Sequence, residues 1–194
     1  MPERYTLTGQ LRRAARSAGD KPAIVHADGA ASFGELDALA GRYAAGLAAL
    51  GLGPGDRVAT WLPNSVEHYA FVYALWRLGA INVGVNTRFR AKEVEDIVGR
   101  SGAVLLAYQP GFKDIDFAGI LAGVDAGALA SLKTVVAFGA DRRDQVLGRP
   151  SVPLADLASH GAFDEDRATP ETPCQIFTTS GTTSRPKFVL HRHQ

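Results

Sequence analysis

The residues best suited to chemistry lie together in Thr178-Thr179-Ser180-Gly181-Thr182-Thr183-Ser184-Arg185-Pro186-Lys187. An apolar, β-prone run beginning at Gln175 leads into this stretch, and a second run, Phe188 to Leu190, leaves it. Hydroxyls and free backbone amides donate hydrogen bonds, Gly181 lets the backbone approach a ligand closely, and Lys187 adds a positive charge. Between two anchored strands, such a loop is equipped to hold phosphates. It is not a Walker A loop, which has Gly directly before the Lys and Ser or Thr directly after it. Here Pro186 and Phe188 hold those places. A ligand-free turn draws on the same residue types, but nothing about a turn requires so many of them in one order.

Other candidates are read more plainly. His191 and His193 alternate on one strand, but with no third ligand nearby no metal site is expected. Cys174 reads as a small buried residue rather than a reactive thiol. His26, His68 and His160 are scattered and expected at the surface. Trp61, Tyr69, Phe71 and Trp76 sit at core spacings. Glu93, Glu95 and Asp96 read as a solvated helix face, and Arg88, Arg90 and Lys92 as a solvated turn.

The elements that must position the loop follow from periodicity and punctuation. Helices are expected over 7–18, 34–50, 66–78 and 91–100, where apolar residues recur at helical spacing. Ser32 with Glu35 forms a capping-box pattern and Ser65 a further N-cap. Strands are expected over 23–27, 30–33, 57–62, 80–85, 103–108 and 134–138, the first two joined at Asp28-Gly29 as a hairpin. The glycines of Gly51-Leu52-Gly53-Pro54-Gly55 precede a strand instead of opening a helix, so they read as a turn and not as a dinucleotide fingerprint. Residues 112–132 are expected to be mostly helical, and 139–173 to be a surface excursion with one short helix near 154–159. From Arg57 on, strands alternate with helices and the strands are continuous apolar runs. That argues an α/β fold with a parallel-rich sheet covered by helices on both faces, in which ligands bind beyond the carboxyl ends of strands.

The chain has 194 residues, 46% hydrophobic and 21% charged, a balance able to build a core. A net charge of +1 gives no reason to expect nucleic acid as a partner. One cysteine excludes an intrachain disulfide framework. The opening Met1-Pro2-Glu3-Arg4-Tyr5 lacks the apolar core of a signal peptide, and no run of about 18 apolar residues is present. A cytoplasmic location and no membrane span are therefore expected.

Thr179-Ser180-Gly181-Thr182-Thr183, Pro186, Lys187 and His193, six residues after the Lys, resemble the signature of the AMP-forming adenylating enzymes, and of the acyl-CoA synthetases in particular. Ser184 and Phe188 stand where that family usually has Gly. Gly51 to Val58, Leu62-Pro63-Asn64-Ser65, Leu78-Gly79-Ala80, Asn86-Thr87-Arg88 and Ser101-Gly102-Ala103 follow in the order seen in that family, so the resemblance spans 5–193. It implies that residues 1–194 are an incomplete N-terminal, AMP-binding subdomain with its phosphate loop at 178–187. It implies ATP, Mg²⁺ and coenzyme A as co-reactants and a carboxylic acid as substrate. Thr179, Ser180, Gly181, Thr182, Thr183 and Lys187 would bind the nucleotide phosphates, and His193 would lie toward the acyl side. The adenine, ribose and metal contacts and the catalytic Lys belong to segments beyond Gln194, so no catalytic residue is expected here and the 194 residues alone should not complete adenylation. A non-catalytic relative acting as a binding module is the alternative, and a phosphate-loop kinase a more distant one. An uncovered sheet edge would offer a route to a homo-oligomer.

Overall fold

The strands expected from Arg57 onward lie side by side in one sheet. The computed structural model describes residues 5–26, 29–179 and 186–194. Ahead of that sheet come α1 (Leu7–Ala18), the antiparallel pair β1 (Pro22–His26) and β2 (Gly29–Ser32), and α2 (Phe33–Ala49). Asp28 of the expected turn lies outside the described residues. Thr6 caps α1 by accepting the Gly9 N–H, and Ser32 and Glu35 form the reciprocal capping box of α2.

The sheet is then built from β3 (Arg57–Trp61), α3 (Val66–Arg77), β4 (Ile81–Gly84), α4 (Ala91–Ser101) and β5 (Leu105–Tyr108). Next come the small hairpin β6 (Gly111–Phe112) and β7 (Ile115–Asp116), α5 (Phe117–Ala122), and β8 (Thr134–Ala137). The chain ends with β9 (Gln145–Val146), β10 (Arg149–Pro153), α6 (Leu154–Leu157), β11 (Pro173–Thr179) and β12 (Lys187–Arg192). Among the described residues the large sheet has eight strands in the order β12-β11-β4-β3-β5-β8-β10-β9. Pairing is parallel from β11 to β10 and antiparallel only where β12 and β9 join the two ends.

The crossover from β3 to β4 runs one way across the sheet, and that from β4 to β5 runs back past β3. Because parallel crossovers share one hand, their helices fall on opposite faces. Val58, Leu105 and Val136 accordingly pack with Leu11, Tyr43, Leu47, Phe71 and Leu75 of α1, α2 and α3. Ala59, Trp61, Leu106 and Val135 pack with Val94 and Ile97 of α4 and Phe117 and Leu121 of α5. Burial on both faces is why these strands read as continuous apolar runs.

Several expectations are corrected. Residues 112–132 form the β6–β7 hairpin, the short α5 and a 3₁₀ turn over Ala126–Ala128, not one helix. Asp116 accepts the Gly119 N–H and Asp125 the Gly127 N–H, both at 2.8 Å. Side chains that bond their own backbone start short elements and end long ones. In 139–173 the short helix is present as α6, but β9 and β10 were not anticipated, and β10 extends the main sheet through Ser151↔Val135. The β9–β10 turn uses positive φ at both Leu147 (54°) and Gly148 (65°). Two such residues in sequence are the mark of a tight hairpin, normally announced by Asn-Gly or Asp-Gly, and Leu at the first place concealed it. Tyr69 departs from its expected core position at 41% exposure, whereas Trp61 and Phe71 are fully buried. His68 and His26 are half-buried rather than exposed.

Candidate functional site

β11 and β12 form an antiparallel hairpin whose register pairs Thr178 with Phe188 and Thr179 with Lys187. The first and last residues of the sequence-predicted phosphate-binding set, Thr179 and Lys187, therefore face each other across the hairpin. Ser180, Gly181, Thr182, Thr183 and Ser184 lie outside the described residues. Thr179 and Lys187 are exposed and Thr178 is half-buried. β11 runs parallel to β4 with Gln175 opposite Asn82, so the loop leaves the sheet at the carboxyl edge, where α/β sheets take their ligands.

The hairpin is held to the sheet by a polar ladder inside apolar strands. The Thr60 hydroxyl donates to Asn82 Oδ1 at 2.8 Å, and Asn82 Nδ2 donates to Gln175 Oε1 at 2.9 Å. Gln175 Nε2 in turn donates to the Ile176 carbonyl at 3.2 Å. All three side chains are buried. Each amide finds its partner only in this strand order and register, so the ladder selects the arrangement that places β11 beside β4. The signal available beforehand was an amide within each of two apolar β runs. On the same side, Trp76 Nε1 donates to the Cys174 carbonyl at 2.8 Å.

Above the ladder opens a cleft of about 560 Å³ lined by His68, Tyr69, Val72, Trp76, Phe177, Thr178 and His191, among others. His68 Nδ1 lies 3.2 Å from the Pro63 carbonyl. Burial, against a smaller opposing effect of that hydrogen bond, lowers its pKa from 6.5. At neutral pH the ring is uncharged and Nδ1–H donates to Pro63, leaving Nε2 as its acceptor.

Phe188, where the resembled family usually has Gly, is taken up on the opposite side. Its ring packs against the core that holds α4 and carries the Arg100 guanidinium 4.5 Å from its centre. Arg100 Nη2 also donates to the Pro186 carbonyl at 2.8 Å, while its Nε donates to Asp96 at 2.9 Å. A residue on α4 thus holds the exit of the loop by its backbone. Nothing local in the sequence marks Arg100 for this role, because its contacts with Pro186 and Phe188 lie 86 or more residues away.

His193 does not line the cleft. It is buried beneath the start of α1, with Nδ1 accepting the Leu7 N–H at 3.2 Å. His191 lies on the exposed hairpin with its ring 5.4 Å from that of Phe177, so the two histidines do not converge. Among the described residues no group of three or more His, Cys, Asp or Glu could hold a metal ion. Cys174 is buried, and burial pushes its thiol up to about 11, which keeps it protonated at neutral pH. Among the described residues no helix is long and apolar enough to cross a membrane.

Comparison with known proteins places this geometry. The 3-hydroxybenzoate–CoA ligase of Aromatoleum sp. (strain CIB) is 35% identical over 185 residues, 92% of this chain and 32% of that protein. The long-chain-fatty-acid–CoA ligase FadD13 of Mycobacterium tuberculosis is 34% identical over 169 residues, 84% of this chain and 30% of that protein. The inhibitor-bound N-terminal domain of FACL13 from M. tuberculosis matches with TM-score 0.80 and 30% identity, covering 97% of this chain and 44% of that one. The anthranilate CoA ligase AuaEII, in complex with anthranoyl-AMP, matches with TM-score 0.79 and 25% identity over 97% of this chain and 35% of that one. The chain spans about a third of the length of the curated relatives it matches. The model of the AMP-binding enzyme family matches residues 11–194, and with the loop at the carboxyl edge of the sheet and the order of motifs before it, the chain belongs to the AMP-binding enzyme family.

Proposed function

We propose that these residues are the phosphate-loop portion of an ATP-dependent acyl-CoA synthetase. The activity of the whole would be adenylation of a carboxylic acid with release of pyrophosphate, followed by thioester formation with coenzyme A. The observation that carries this reading is the register pair Thr179↔Lys187 at the mouth of a loop on the carboxyl edge of the sheet. The carboxylate attacks the α-phosphorus of ATP, so the protein's task is to align anions and neutralise charge. The amides and hydroxyls of 179–183 would hold the β- and γ-phosphates, and Lys187 would supply the cation. Mg²⁺ would arrive as the ATP complex and neutralise phosphate charge. The relatives named as CoA ligases, about three times as long, support assigning the remaining contacts and the catalytic Lys to residues outside these 194.

The test is calorimetric titration of the 194-residue chain with Mg-ATP, beside the double variant Thr182→Ala, Lys187→Ala. Loss of one charge-assisted contact and one hydroxyl donor should weaken binding by at least about tenfold. Equal affinity in the two proteins would sink the assignment of the loop. No pyrophosphate is expected to be released with any carboxylate; sustained release would show that this stretch suffices for adenylation.

A second proposal concerns partners. Among the described residues β12 is one edge strand of the sheet, and Leu190 and Val189 on it are 53% and 39% exposed, beside Phe177 at 53%. Uncovered apolar edges pair with other strands. The isolated chain is therefore expected to self-associate through β12, with Leu190→Lys restoring a monomer in light scattering. A wild-type monomer at high concentration would refute this.

A further inference from the structure

The base of the β11–β12 hairpin is closed around one imidazole. The His193 N–H donates to the Thr172 carbonyl at 3.3 Å and the Gln194 N–H to the Pro170 carbonyl at 3.2 Å, tying the end of β12 to the segment that leads into β11. His193 is 6% exposed, and its ring stands edge-on to Trp76 of α3 at 6.1 Å. Its Nδ1 accepts the Leu7 N–H of α1 at 3.2 Å, and its Nε2 is buried with no hydrogen-bond partner among the described residues. α1 is fixed to the same segment by the Thr8 hydroxyl, which donates to Asp166 at 2.7 Å, and by Arg12, which donates to the Asp164 carbonyl.

Only a neutral ring with its proton on Nε2 can accept the Leu7 amide at Nδ1. That amide belongs to the first turn of a 12-residue helix, where N–H groups lack intrahelical acceptors and the helix carries its positive end. A proton on Nδ1 would remove the acceptor, set a cation against that positive end and bury a charge. The charged groups around the ring are few. Asp166 favours the cation, but burial is the larger influence and holds the His193 pKa below its ordinary 6.5. Arg12 on α1 and Arg77 on α3 belong to the same charge cluster, with Arg77 paired to Asp37. On β12 itself, His191 and Arg192 are exposed.

We propose that His193 is a positioning residue of the phosphate-loop hairpin: as a neutral ring it receives the Leu7 amide and locks the base of β11–β12 to α1, and protonation releases the lock. The consequence for phosphate binding rests on the function proposed above; the lock itself does not. Because the folded state disfavours the proton, the lock is complete above pH 6.5, the ordinary imidazole value, and is lost as pH falls through the lower native value.

The test is ¹⁵N NMR of the 194-residue chain without nucleotide, with hydrogen exchange corrected for its intrinsic pH dependence. At pH about 8 Nδ1 should be bare and Nε2 protonated. As His193 titrates, the Leu7 amide should shift with the same midpoint. Exchange in the first turn of α1 and at the hairpin base should accelerate by about tenfold or more. His193→Gln should abolish that step. Should this variant not fold, Leu7→Pro serves, since the first helical position accepts Pro and Thr6 is already extended at φ −102° and ψ 149°. The amide donor is then lost while His193 is kept, so the His193 midpoint should rise and the exchange step shrink. A Leu7 amide indifferent to His193 protonation, or a step that survives in these variants, overturns the proposal. Absence of Mg-ATP binding at every pH would overturn the phosphate-loop reading alone.

Discussion

Trp61→Ala is expected to destabilise the chain by about 4 kcal/mol, within the range for emptying a large aromatic site. Trp61 ends the central strand β3 and is fully buried, edge-on to Phe117 at a ring separation of 4.4 Å. Its Nε1 donates to the Asn86 carbonyl at 3.1 Å. The substitution opens a cavity between the sheet and α5, removes an aromatic pair and leaves a carbonyl short of its partner. For a chain of this size the melting point should fall by about 10 °C, a large fraction of typical stability. Trp61→Phe keeps most of the ring and loses mainly the donor, so its cost should be about 1–2 kcal/mol. Urea denaturation at unchanged slope measures both. A loss under about 2 kcal/mol for the alanine variant would mean that the surrounding helices collapse into the space.

Asp37→Ala is expected to cost about 3 kcal/mol, because it strands a buried cation. Arg77 is 3% exposed and its Nη2 donates to Asp37 on α2, while Nη1 donates to the Phe163 carbonyl at 3.3 Å. The guanidinium therefore joins α2, α3 and the segment that carries the chain toward β11. Burial lowers the Arg77 pKa and Asp37 acts in the opposite sense, so removing the carboxylate leaves burial uncompensated. Replacing the pair by Asp37→Leu with Arg77→Met should recover most of the loss, since apolar residues of similar volume carry no desolvation penalty. A double variant as unstable as the single would show that the Phe163 contact, not the ion pair, dominates. Hydrogen exchange near Phe163 should rise first in the single variant.

Much of the frame was legible because its signals are local. α1 occupies residues 7–18 as expected from the spacing of Leu7, Leu11, Ala14 and Ala15. Ser32, Glu35 and Ser65 announced helix starts that the structure reproduces as caps. Reading failed where a local signal was misleading. Asp116 and Asp125 turned an apparently helical stretch into short pieces, and Leu147 hid a tight turn by adopting positive φ without being Gly, Asn or Asp.

The order of hydroxyls, Gly181, Pro186 and Lys187, and the alternation of helices with apolar strands, were determined by the sequence alone. Each depends on residues within a few positions of one another. What only the tertiary structure decided are the contacts that hold the β11–β12 hairpin in place. Gln175 meets Asn82 across 93 residues, Arg100 meets Pro186 across 86, and His193 meets Leu7 across 186. Such pairs depend on strand order, register and the face each crossover helix takes, quantities that emerge only when the whole sheet has assembled.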